Sequence, residues 1–84
     1  MFYVYVLQSI HDNTLYIGST NDLKRRLAEH NNGNSRATKN RRPFTLCYYE
    51  AYSSEQDARH REHALKHNGR VLTQLKRRIV ASLQ

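Results

Sequence analysis

Short aromatic and β-branched runs occur at three places along the chain, and apolar positions recur at helical spacing at three others. Residues 2–7, Phe-Tyr-Val-Tyr-Val-Leu, predict a strand. Residues 8–13 are polar, with Asp12-Asn13 as turn formers, and Leu15-Tyr16-Ile17 predicts the returning strand of a hairpin. Side chains alternate along a strand, so Tyr3 and Tyr5 share one face while Phe2, Val4 and Val6 share the other. Tyr16 likewise opposes Leu15 and Ile17. Ser19, Thr20 and Asn21 are capping candidates, Asp22 suits a first turn, and Leu23, Leu27 and His30 predict a helix over about 22–31. Asn31-Asn32-Gly33-Asn34 ends it.

Residues 34–43 carry Arg36, Lys39, Arg41 and Arg42 with no acid among them and no hydrophobic anchor before Pro43, which predicts an open, mobile loop. Residues 44–52 predict a third strand. In it Tyr48 and Tyr49 face opposite sides, and Cys47 fills core space beside Leu46. Ser53-Ser54 caps a second helix, with Gln56 or Asp57 completing a capping box, and that helix runs to about Lys66. Asn68-Gly69 is the stop, and Val71, Leu72, Leu75, Ile79 and Leu83 mark a third amphipathic helix. The order ββαβαα predicts an α+β fold, a small three-stranded antiparallel sheet flanked by three helices, with residues 1–84 as a single domain.

Composition narrows the function. At 84 residues and 38% hydrophobic the core is thin, so the chemistry sits on an open face that suits a polymeric substrate. Fourteen Lys and Arg against seven Asp and Glu give a formal charge of +7, a field that attracts polyanions. Membrane attachment is not expected, because there is no long apolar run, signal-peptide pattern or lipidation site. The lone Cys47 makes no internal disulfide, as a reducing cytoplasm permits, and a cytoplasmic location is expected.

Helical geometry singles out further positions. On the first helix Arg26 lies about 60° and His30 about 20° from Leu23, one turn apart at the edge of the apolar stripe. On the second, Glu62 lies about 40° from Ala58, and an acid on the inward side of a helix is uncommon unless it is paired or bound to metal. The residues alone leave two accounts open, a functional acid or a structural ion pair with Arg26, Arg61 or Lys66. His63 and His67 stand i,i+4, half of a zinc site, but no cysteine pair or second histidine pair accompanies them and they read as solvated imidazoles.

Tyr3-Val4-Tyr5, Tyr16-Ile17-Gly18 and the stretch Ser19 to His30 resemble the hallmark blocks of the GIY-YIG nuclease superfamily. The likeness continues through Arg41-Arg42-Pro43, Tyr48-Tyr49-Glu50, Arg61-Glu62, Leu65-Lys66 and Gly69-Arg70, covers essentially the whole chain, and is greatest for short stand-alone members. One departure is plain, since Tyr3 replaces the glycine of the name-giving triplet. The resemblance implies a metal-dependent endonuclease acting on DNA phosphodiesters, with RNA also admitted. It implies Tyr5 and Tyr16 as the paired tyrosines, Arg26 as the arginine, His30 as a further polar site residue, and Glu62 as the ligand of one divalent cation, magnesium or manganese. Either tyrosine serves as the base in this reading. Substrate contact falls to Gly18, Arg36, Lys39, Arg41 and Arg42, where a small residue allows close approach and cations track phosphates. A chain this short is expected either to be weakly selective or to borrow its specificity from a homodimer or a protein partner. The competing classes are a nucleic-acid-binding module that no longer cuts, and an adaptor docking through its open sheet edge or third helix.

Overall fold

A computed structural model describes residues 1–84. It has three strands, β1 (Phe2–Ser9), β2 (Leu15–Thr20) and β3 (Phe44–Tyr52), in one antiparallel sheet of spatial order β2-β1-β3. Three helices, α1 (Leu23–Asn31), α2 (Glu55–His67) and α3 (Gly69–Arg78), complete the α+β order ββαβαα that the pattern predicts. The continuous apolar run of β1 explains its central place, because Val4 to Leu7 are buried on both faces.

Register fixes which residues share a face. Tyr5 pairs with Gly18 and Tyr49, and Leu7 with Tyr16, on the side that α1 covers through Leu23 and Leu27. Val4 pairs with Ser19 and Glu50, and Val6 with Ile17 and Tyr48, on the side where Ala58 and Leu65 of α2 and Leu75 of α3 pack. Each face therefore has its own apolar cluster, and β2 is left as an open edge. No helix is long and apolar enough to cross a membrane.

Several local expectations change. Asp22, not Ser19 or Thr20, caps α1, its carboxylate accepting from the Arg25 amide at 3.0 Å. Ser54 occupies the cap position of α2 but makes no side-chain cap bond, so the expected capping box is not formed. Asn68 ends α2 and starts α3, its side-chain oxygen accepting from the amides of Arg70 and Val71. The third helix stops at Arg78. A short 3₁₀ turn, Val80–Ser82, then brings the tail back so that the Gln84 amide donates to Gln8. Ile79 and Leu83 still pack on the core from outside the helix. Cys47 is half-buried and is no core filler: Leu46 pairs with Leu7 and Tyr48 with Val6, which makes Cys47 the extra residue of a β-bulge. Tyr48 packs on the core while Tyr49 is 52% exposed, as alternation predicts.

The 34–43 segment is not an open loop. It is a run of turns whose anchors are hydroxyls: Ser35 and Thr38 are buried, and Ser9 donates its hydroxyl to the Arg41 carbonyl. The Asn31 side chain clasps the backbone of Phe44, accepting from its amide at 2.7 Å and donating to its carbonyl at 3.2 Å.

Candidate active site

The hairpin and α1 build a cluster of rings. Tyr5 and Tyr16 project from neighbouring strands on the α1 side, with centroids 6.5 Å apart. Gly18, directly across from Tyr5, explains how: a Cβ there would lie 2.4 Å from the Tyr5 hydroxyl, so the phenol occupies the volume that the glycine leaves. Gly18 lies inside β2, and the close approach it permits is that of Tyr5, not of substrate.

His30 closes the cluster from α1. The sequence places it at the edge of the apolar stripe, whereas it is fully buried, because its ring packs on Tyr16 at 5.0 Å, Tyr5 at 5.8 Å and Phe44 at 6.1 Å. Both ring nitrogens are engaged, Nε2 with the Tyr5 hydroxyl at 2.9 Å and Nδ1 with the Thr38 hydroxyl at 2.7 Å. Burial, reinforced by the Arg26 charge, lowers the His30 pKa, so the ring is neutral at pH 7. Burial likewise pushes the Tyr5 phenol up to about 12, against the opposing pull of Arg26. Tyr5 therefore keeps its proton at neutral pH unless it hands that proton to a neighbour. Arg26, one turn before His30, is partly exposed and paired with Glu29 at 3.0 Å.

Glu62 comes from the other side. It belongs to α2, on the opposite face from the tyrosines, and reaches the open edge of β2. There it accepts from the Ser19 hydroxyl at 2.6 Å and pairs with Lys66 at 2.7 Å. Burial works to raise this carboxyl, but the Lys66 ammonium and the Ser19 hydroxyl outweigh it and hold it below the usual carboxylate range. Lys66 also lies 5.7 Å above the Tyr16 ring, bridging the edge. Of the three partners weighed from sequence, Lys66 is the one that pairs with Glu62, while Arg61 pairs with Glu50 and Arg26 with Glu29.

Tyr5, Tyr16, Arg26 and His30 thus share one face, and Glu62 meets them around the edge strand. Arg26 lines a polar cleft of about 430 Å³, and Glu62 lines another of about 300 Å³ that adjoins it at Ser19 and Arg59. The loop cations are not among these residues. Arg41 donates to Thr14 at 3.1 Å and lies over the Phe44 ring, and Arg42 lies against Gly33, a left-handed residue with φ of +79°. Arg36, Lys39 and Arg42 are exposed. The rings of His63 and His67 stand 4.4 Å apart, and no group of three or more His, Cys, Asp or Glu forms a ligand set. Sequence reasoning missed Thr38, and it took Ser19 for a cap. Neither carries a periodic signal, since each is a lone hydroxyl whose partner lies far along the chain.

The family model for the GIY-YIG catalytic domain matches residues 1–77. A UPF0213 protein of Staphylococcus haemolyticus is 43% identical over 65 residues, 76% of this chain and 78% of its own. One from Halobacterium salinarum is 41% identical over 72 residues, covering 84% and 92%. Relatives from Streptococcus pyogenes are 49% identical over 57 residues, 67% of this chain and 61% of theirs. The solution structure of a UPF0213 protein from Bacillus halodurans superposes with a TM-score of 0.55 at 36% identity, covering 89% of this chain and 82% of that one. The chain belongs to the GIY-YIG family of nuclease domains and is similar to its small UPF0213 members.

Proposed function

We propose that this chain is a divalent-metal-dependent endonuclease that hydrolyses DNA phosphodiester bonds. The observation that carries the reading is the Tyr5 hydroxyl, held 2.9 Å from a neutral, buried imidazole beside Tyr16 and Arg26. A nucleic-acid binder needs positive surface but has no use for a phenol coupled to a proton acceptor inside a thin core.

In this reading a water attacks the scissile phosphorus. Its proton passes to the Tyr5 oxygen as the Tyr5 proton passes to His30 Nε2, which removes the need for free tyrosinate at neutral pH. The Tyr16 hydroxyl orients the water or a phosphate oxygen, and Arg26 offsets charge on the non-bridging oxygens. Glu62 fits a magnesium-type ion, because it is an ionised, partly exposed carboxylate at the mouth of a polar cleft. Such ions are held by one or two carboxylates and complete their shell with water and phosphate. When bound, the ion would stabilise the leaving 3′ oxygen. Lys66 must move off Glu62 to admit it.

The docking of Arg41 on Thr14 and Phe44 leaves phosphate recognition within the 34–43 segment to Arg36, Lys39 and Arg42, which are exposed. Replacing Arg36 and Lys39 together by Ala should flatten the salt dependence of DNA binding by about one unit of slope for each phosphate no longer neutralised. Replacing Arg41 alone should change it less. A salt titration of each variant checks this, and a larger loss of slope in Arg41→Ala would reverse the assignment. The reading as a whole is tested by incubating branched, nicked and linear DNA with the protein, in magnesium and in chelator. Cleavage in magnesium alone is expected, and binding without cleavage would make the chain a binding module.

A further inference from the structure

We infer that Thr38 is a positioning residue that fixes the proton of His30 on Nδ1 and so aims the free lone pair of Nε2 at the Tyr5 hydroxyl. The catalytic consequence rests on the nuclease reading above, but the tautomer itself does not.

A neutral imidazole has one donor nitrogen and one acceptor, and in a fully buried ring the partners decide which is which. Here both partners are hydroxyls, Tyr5 at Nε2 and Thr38 at Nδ1, and a hydroxyl can donate or accept. The symmetry is broken by Arg26. Its guanidinium carries a positive charge beside Tyr5, the two side chains lining one small pocket, and that charge pulls on the phenol oxygen. With a cation on that side drawing its lone pairs, the phenol turns its own proton to the remaining neighbour, Nε2. The ring proton is then left on Nδ1, where it donates to the Thr38 oxygen.

Thr38 is held where its hydroxyl meets Nδ1. It is fully buried, its amide donates to the Ser35 carbonyl at 3.1 Å, and its carbonyl accepts from the Arg41 amide at 2.9 Å. Ser9 in turn pins the Arg41 carbonyl to the end of β1. The 34–43 segment therefore delivers one hydroxyl to the back of His30 and holds it there. The proton balance follows: Tyr5 gains the proton of the attacking water and loses its own to Nε2. His30 becomes an imidazolium whose Nδ1–H still donates to Thr38. With the proton on Nε2 instead, the ring would donate to Tyr5 and could not take its proton.

The test is the ring-nitrogen spectrum of His30 in ¹⁵N-labelled protein at neutral pH, read through long-range proton–nitrogen couplings. Wild type, Thr38→Ser and Tyr5→Phe are expected to carry the proton on Nδ1, whereas Thr38→Val should move it to Nε2 in most molecules. Scission of DNA should fall about tenfold or more in Thr38→Val with KM unchanged, and return in Thr38→Ser. An Nε2 proton in wild type, or an Nδ1 proton retained in Thr38→Val, would overturn the assignment. So would a shift in Tyr5→Phe, where the Thr38 hydroxyl is the one ring partner left and should hold the proton on Nδ1. Should Thr38→Val not fold, the wild-type and Tyr5→Phe spectra still decide. Because the spectrum needs no DNA, it separates this assignment from the nuclease reading.

Discussion

Glu62→Gln should melt within a few degrees of the parent and lose magnesium-dependent scission by about 10²–10⁴-fold, the factor that several kcal/mol of charge stabilisation represents. Stability should hold because the Glu62–Lys66 pair is an i,i+4 pair with side chains 20% and 35% exposed, worth at most about 1 kcal/mol. The amide oxygen also still accepts from Ser19. Lys66 is left beside solvent, so no cation is stranded in the core. DNA binding in chelator should persist or tighten, since a negative charge near the phosphates is gone. Melting temperature and scission rate are to be measured on the same preparation. A variant that melts normally and cuts at the parental rate would remove Glu62 from the mechanism.

Glu50→Gln should show the reverse, a drop in melting temperature of roughly 10–20 °C, on the scale of about 4–8 °C per kcal/mol for a domain this small. Glu50 accepts from the Tyr48 hydroxyl at 2.6 Å, from Tyr52, and from two nitrogens of Arg61 at 3.0 Å, and so ties β3 to α2 under the sheet. An amide presents a donor to this ring of donors, at a cost of about 2–3 kcal/mol. Burial works to raise the Glu50 carboxyl, yet Arg61, Tyr48 and Tyr52 hold it below its ordinary value of 4.5. A depressed carboxyl contributes stability that is whole above about pH 4.5 and is lost as pH falls through the lower folded value. The glutamine variant should lack that acid limb. Thermal melts from pH 3 to pH 7 check both statements, and a variant within about 2 °C of the parent across that range would show that the cluster does not hold the fold.

What the sequence revealed follows the range over which its signals act. Period-two alternation set Tyr5 apart from Val4 and Val6 and Tyr16 apart from Leu15 and Ile17, and helical angles put Arg26 and His30 one turn apart, because both are set within a few residues. The depth of His30 was not legible, because a polar residue on an apolar stripe reads as an edge until its partners are known. Those partners, Tyr5 and Thr38, lie 25 and 8 residues away. The 34–43 segment read as mobile for the same reason, as its anchors are buried hydroxyls and hydropathy counts them as solvent-seeking. Glu62 read as inward-facing, and it is partly buried. That it reaches the tyrosines around an edge depends on β2 being an outer strand, a property of topology. Cys47 read as core filler from its apolar neighbours, and the bulge that takes it out of the ladder leaves no trace in the sequence pattern.

The most direct test of the central claim, that Tyr5 moves a proton during metal-dependent hydrolysis of DNA, is single-turnover scission of one DNA substrate. Wild type and Tyr5→Phe are compared in magnesium and in chelator, with substrate bound to saturation. Expected is cleavage by wild type in magnesium only, and a rate for Tyr5→Phe lower by about 10²–10⁴-fold at unchanged DNA affinity. Equal rates for the two proteins, or undiminished cleavage in chelator, would contradict it.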